Sequence, residues 1–178
     1  MRLLLAALSL SILLTGCAKR AEVVDTYPAD DASQVFKQSE NQVADDHVTQ
    51  GKLMYRKAEY GQAIKHLIRA LDNNPENWEA YYYLGLVEQK QGQYDRSIGA
   101  FNNCLKYAPS AHPLLTEVYL ALGASWEKEG YMDKAKEKYT LSLSLNPEQP
   151  EAKAALDRIK QKELKADAAK NKENKGAF

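Results

Sequence analysis

Small and large residues recur along the chain in one repeated figure. Ala63, Leu67 and Ala70 form its first instance, Ser97, Phe101 and Cys104 the second, and Ala135, Tyr139 and Ser142 the third. Small, large, small at i, i+4 and i+7 lies on one face of a helix. The small residues let a neighbouring helix approach closely, and the large one fills the gap between them. Upstream, Leu84-Gly85 and Leu122-Gly123, with Tyr81 and Tyr119 about a turn earlier, mark a partner helix. Gly51, Gly85 and Gly123 are separated by 34 and then 38 residues, and so are Pro75, Pro109 and Pro147. Two independent markers with one period and one offset indicate an internal repeat. The predicted repeats are 44–77, 78–111 and 116–149, each a pair of helices. The four inserted residues 112–115 are close to one helical turn, and Pro113 suits a first turn, so they are expected to lengthen the third leading helix.

After Pro147, Ala152, Ala155, Leu156, Ile159 and Leu164 make a narrow apolar stripe. This predicts a single helix over 150–165 with a polar outer face, of the kind that closes an open stack. Residues 166–178 turn to Lys, Asn, Glu and Gly and are expected to be disordered.

The 34-residue period, the small-large-small face and the turns 58–61, 92–95 and 130–133 resemble the tetratricopeptide repeat. The resemblance covers residues 44–149. It implies an all-α, right-handed solenoid of about three helical hairpins with a C-terminal capping helix. Departures are local: His47 and Gln50 replace the family's usual residues in the first leading helix, which is expected to lean on Val35 and Phe36. Glu88 puts a polar notch in the second repeat, and Met132 stands where the family's turn has an aromatic.

In this family the leading helices line a concave groove. Carried over residue by residue, the resemblance implies peptide binding by Val48, Lys52, Tyr55 and Arg56 in the first repeat. It implies Tyr82, Leu86, Gln89 and Lys90 in the second, and Leu120 and Glu127 in the third. Asp45, Glu79, Glu117, Ala124 and Lys128 share those family positions. The family's clamp for two carboxylates is not reproduced: Val48, Lys52, Tyr83, Glu117 and Ala121 occupy its places.

Leu3–Leu14 is mostly apolar and follows the lone charge of Arg2. A bilayer span needs about 20 residues, so this run fits a short secretory signal better than an anchor. Leu14-Thr15-Gly16-Cys17 resembles the lipobox of bacterial lipoproteins. The resemblance implies a signal peptide over 1–16, cleavage between Gly16 and Cys17, and acyl chains on Cys17. With Ala18 rather than Asp next, it implies the outer membrane, facing the periplasm. From Ala21 to Gln50 seven acids stand against one base, Lys37, and residues 17–42, with little apolar material, read as a flexible linker.

Lys plus Arg number 24 and Asp plus Glu 24, so the net charge is zero, which argues against a nucleic-acid partner. Three His and two Cys are too few and too scattered for a metal cluster or a disulfide framework. No glycine-rich phosphate loop and no nucleophile elbow occurs, and Cys104 falls on a core position. The sequence therefore reads as a scaffold without catalysis or cofactor. The expected partner is a protein or peptide of the cell envelope, with the membrane reached through the acyl chains. A pilotin-like role in secretin assembly, or self-association through an open end of the stack, are the alternatives.

Overall fold

The computed structural model describes the backbone of residues 29–176 and the side chains of residues 33–169. Seven helices are present among the described residues: α1 (Ala29–Arg56), α2 (Tyr60–Asn73), α3 (Trp78–Lys90), α4 (Tyr94–Tyr107), α5 (Leu115–Lys128), α6 (Met132–Leu145) and α7 (Pro150–Gly176). They pair as α1·α2, α3·α4 and α5·α6, and each second helix also packs on the next leading helix. The architecture is thus all-α, three hairpins in a solenoid with α7 closing the stack.

The large residue of each second helix meets the glycine of its leading helix, always 16 positions earlier. A Cβ on Gly51 would lie 2.7 Å from Leu67, one on Gly85 2.7 Å from Phe101, and one on Gly123 2.7 Å from Tyr139. Glycine is therefore needed at these sites for helix-to-helix contact, not for backbone freedom. Ala63, Ala70 and Ala135 are fully buried, as the repeated figure requires. Where the small residue is Ser, its hydroxyl is satisfied: Ser142 donates to the carbonyl of Thr116 at 3.0 Å, and Ser97 shares a 2.9 Å bond with Ser125. Burial of these hydroxyls thus avoids the penalty of an orphaned polar group.

Two of the turns between repeats have the same chemistry. Asn74 Oδ1 accepts from Glu76 N, and Asn146 Oδ1 accepts from Glu148 N, each across a proline. Such Asx turns hold the chain after a helix end without further packing. Within hairpins, the turn residue takes positive φ: Gly92 at 74° and Gly130 at 86°, but Ala58 at 59°. Glu59 N, Gln93 N and Tyr131 N each donate back to a carbonyl five residues earlier, closing the helix end. Ala58 carries a Cβ penalty that glycine lacks there. Ala58→Gly is expected to stabilise the fold by about 0.5–1 kcal/mol, read as a raised urea midpoint at unchanged slope.

Four expectations are corrected. Helix α1 starts at Ala29, so the flexible linker read over 17–42 is helical from that residue. Its side chains over 33–40 are exposed, and Val35 and Phe36, at 61% and 71% exposure, do not support the first hairpin. Residues 112–114 do not lengthen α5; they form a turn in which His112 Nδ1 accepts from Leu114 N at 3.2 Å and the His112 carbonyl from Leu115 N. The proline-containing turn is held by that side chain, so an extra helical turn is not needed to keep the stack in phase. Finally, α7 runs past the expected 165 to Gly176 through the segment read as disordered.

Helix α7 has the register of a fourth leading helix. Ala152, Ala155 and Ile159 are buried against Ala135 and Tyr139. At the place of Gly51, Gly85 and Gly123, however, stands Asp157, exposed to solvent. No helix can seat there as Phe101 seats on Gly85, which is the physical reason α7 ends the stack.

Candidate peptide-binding face

Helices α1, α3 and α5 lie side by side, with α3 touching both neighbours. Because hairpin helices alternate in direction, these three leading helices run the same way. Their shared face carries most of the residues singled out in the sequence.

On α1 and α3 the face is aromatic. Tyr55 lies 6.2 Å from Tyr60 and 6.0 Å from Tyr83, the latter edge-on, and Tyr83 lies 5.2 Å from Tyr82. Lys52 forms an ion pair with Glu79 across the α1–α3 boundary, and its ammonium sits 5.3 Å from the Tyr83 ring centre. Burial pushes up the pKa of Tyr55 and, more strongly, of Tyr82, where the Glu117 carboxylate adds to the effect. Both phenols therefore stay neutral and act as hydrogen-bonding, apolar surface.

Several of the expected binding residues have structural duties. Val48 is 1% exposed inside the first core and offers no surface. Tyr82 and Leu86 are half-buried against the second core, and Leu120 against the third. Gln89 donates to the Ala121 carbonyl at 2.9 Å and to Ser125 Oγ at 3.0 Å, tying α3 to α5. Ser125 passes its own proton to the Ala121 carbonyl at 3.2 Å, so the buried network of Gln89, Ser125 and Ser97 is complete. Arg56 and Lys90 are exposed.

Glu127 is the most heavily engaged of them. Arg158 donates from Nε at 3.0 Å and from Nη2 at 2.7 Å, Lys162 donates at 3.2 Å, and the Tyr139 hydroxyl donates at 3.1 Å. The Arg158 guanidinium foremost, then the other donors, hold its carboxyl down at about 2. Glu127 thus joins α5, α6 and α7 rather than standing free for a ligand. Arg158 and Lys162 lie beyond the three repeats that the sequence predicts; their signal is their place 34 residues after Ala124 and Lys128.

Other polar features lie off this face or beneath it. Glu88 keeps one carboxylate oxygen buried without a partner, and burial raises its pKa, which confirms the polar notch. His47 and His66 meet with Nδ1 atoms 3.4 Å apart. Cys104 is fully buried, and desolvation pushes its thiol up to about 12, so it behaves as a small apolar residue. Among the described residues there is no group of three His, Cys, Asp or Glu side chains placed to hold a metal. Gly16 and Cys17 lie outside the described residues.

The tetratricopeptide repeat family model matches residues 48–111, the first two hairpins as built above. The chain contains a tetratricopeptide-repeat domain. The third hairpin joins that domain by geometry, through the Gly123–Tyr139 contact. In human Protein O-mannosyl-transferase TMTC1, 74 residues align at 28% identity, covering 42% of this chain but 8% of that one. The chain therefore spans under a tenth of that relative. The first TPR of Spaghetti (RPAP3) bound to the HSP90 peptide SRMEEVD superposes with a TM-score of 0.65 at 20% identity, covering 70% of this chain and 95% of that one. The crystal structure of MamA gives 0.64 at 22%, covering 84% and 89%. At these identities the likeness is one of fold.

Proposed function

We propose that the protein is a non-catalytic docking scaffold whose leading-helix face binds a peptide or a helix of another protein. The observation that carries this reading is the half-buried tyrosine surface of Tyr55, Tyr82 and Tyr83 beside the exposed bases Arg56 and Lys90. Tyrosines held in place by ring contacts present wide area with little rotamer entropy left to lose. The RPAP3 domain, which shares this fold, is bound to a peptide, which supports peptide binding as a use of the fold.

In this reading the scaffold is tethered to the bacterial envelope by acyl chains on Cys17, as the lipobox resemblance implies. Several acyl chains hold far more firmly than one, at about 0.8 kcal/mol per buried CH₂. Cys17→Ser is expected to abolish palmitate labelling and release the protein from membranes. Retention of both would remove the tether. For the face, a photo-crosslinking side chain at Lys90 or Ala124 is expected to capture a discrete partner in intact cells. The same group at Asn102, exposed on the trailing helix α4, is expected to capture none. Equal capture from all three sites would refute docking at the leading helices.

A further inference from the structure

This inference rests on the docking role just proposed and specifies the chemistry of the partner. Counted from the start of each repeat, the thirteenth residue is Arg56 in α1, Lys90 in α3, Lys128 in α5 and, in register, Lys162 in α7. All four are exposed. Lys162 reaches Glu127. The side chains of Arg56, Lys90 and Lys128 have no ion-pair or hydrogen-bond partner among the described residues.

A cation in the last turn offsets the helix dipole, and that alone would account for the first three. It does not account for Lys162, because α7 continues to Gly176, some four turns further. Lys162 pairs with Glu127 instead, and what the four bases share is their place on one face of the stack. Between α5 and α7 this row borders a cleft of 380 Å³ walled by Lys128, Arg158 and Lys162 with Glu127 among them.

Eleven residues before each base stands an acid: Asp45, Glu79, Glu117 and Glu151. Eleven residues advance about 16 Å along a helix, so the face is edged by an acidic row and a basic row about that far apart. The acidic row is already occupied at three places. Asp45 accepts from Asn77 at 3.4 Å, Glu79 from Lys52, and Glu117 from Gln149 at 3.1 Å. The basic row is the open one.

We propose that the basic row binds an extended acidic stretch of a partner protein, laid across the leading helices with one carboxylate for each. Packed helix axes lie about 8–10 Å apart. An extended chain advances about 3.3 Å per residue, so acids at every third residue, roughly 10 Å apart, match the row. A broad anionic surface such as a membrane or a duplex fits poorly. It would overlie both rows, and about 16 Å is within two Debye lengths of roughly 8–10 Å at ordinary salt, so repulsion by the acids cancels much of the attraction. A single strand touches the bases alone.

The test uses the full chain and three labelled twelve-residue probes by fluorescence anisotropy. One carries Glu at every third position in a Gly/Ser background, one has the same four Glu adjacent, and one has Lys in place of Glu. The spaced acidic probe is expected to bind most tightly and to weaken with salt. Arg56→Glu, Lys90→Glu and Lys128→Glu together are expected to cost it about tenfold or more in affinity, while helicity and thermal midpoint stay as in the parent. Lys162 is left intact because it holds Glu127. No binding of the spaced probe, equal binding of the Lys probe, or unchanged binding by the triple variant would overturn the proposal. So would binding of anionic vesicles that the triple variant loses while its peptide binding persists. If crosslinks from Lys90 and Ala124 fail altogether, the docking role itself falls; if they persist unaltered by Arg56→Glu and Lys128→Glu, only the acidic partner does.

Discussion

Phe101→Ala is expected to lower the unfolding free energy by about 3–5 kcal/mol, because it empties a fully buried site between two helices. Urea denaturation of the full chain measures it. The more informative experiment adds Gly85→Ala. In the parent, the new methyl would stand 2.7 Å from the Phe101 ring, which is closed in by Ile98, Cys104, Val118 and Leu122. Overpacking of this kind costs about 1–3 kcal/mol, against roughly 1 kcal/mol gained when Ala replaces Gly inside a helix. A net loss of up to about 2 kcal/mol is expected. With Phe101 already replaced by Ala, the clash is gone and the helix gain remains, so Gly85→Ala should become neutral or stabilising. A change of sign between backgrounds identifies direct contact. Equal losses in both backgrounds would show that the glycine serves something other than the ring.

Glu127→Gln is expected to loosen the closing helix by about 1–2 kcal/mol. Its carboxyl is held at about 2 in the folded protein, against an ordinary value near 4.5. At neutral pH the folded state therefore keeps a charge that its partners stabilise. As pH falls below about 5 the unfolded chain takes up the proton first, and this stabilisation fades until it is gone near pH 2. The full shift does not appear as stability, because Arg158 and Lys162 are themselves about half exposed, at 51% and 53%, and water screens them. In thermal melts from pH 7 to pH 2, Glu127→Gln should start lower and lose less. A parallel pair of curves would mean that the carboxylate does not hold α7.

The hairpins were legible in the sequence because their packing is written at fixed offsets. Gly51, Gly85 and Gly123 each precede a large buried residue by 16 positions, and the flanking small residues mark the same contact. The solenoid follows from such local pairs, with no need to guess distant strand partners. The outward half of α1 was not legible. Its exposed side chains over 33–40 have no apolar stripe to give a helical period, so the acidic composition read as linker. The turn at 112–114 is hidden for another reason: counting residues per turn cannot anticipate that the His112 side chain would cap Leu114.

The proposed docking face was legible by position but not by duty. Family register placed Val48, Gln89 and Glu127 on it, yet register does not report which side chains neighbouring helices consume. Val48 is consumed by close packing of α1 on α2, Gln89 by the backbone of α5, and Glu127 by bases arriving from α7. The bases that remain available, Arg56, Lys90 and Lys128 beside the half-buried tyrosines, are defined by this subtraction. Cross-stack hydrogen bonds depend on helix spacing and roll, and these are set by the whole set of contacts rather than by any one residue type.

Asp157 has a bearing on how copies of this chain could assemble. A head-to-tail filament needs two complementary ends on every molecule. The carboxylate standing where a glycine would receive the next helix, on the polar outer side of α7, denies one of those ends. Endless polymerisation by continued stacking is therefore blocked in one direction, and with it the hazard of fibres seeded by an unfinished superhelix. The exposed apolar residues at the other side of the stack, Val35, Phe36 and Val43 on α1, have no such charge among them, and two copies meeting there about a two-fold axis would close rather than propagate.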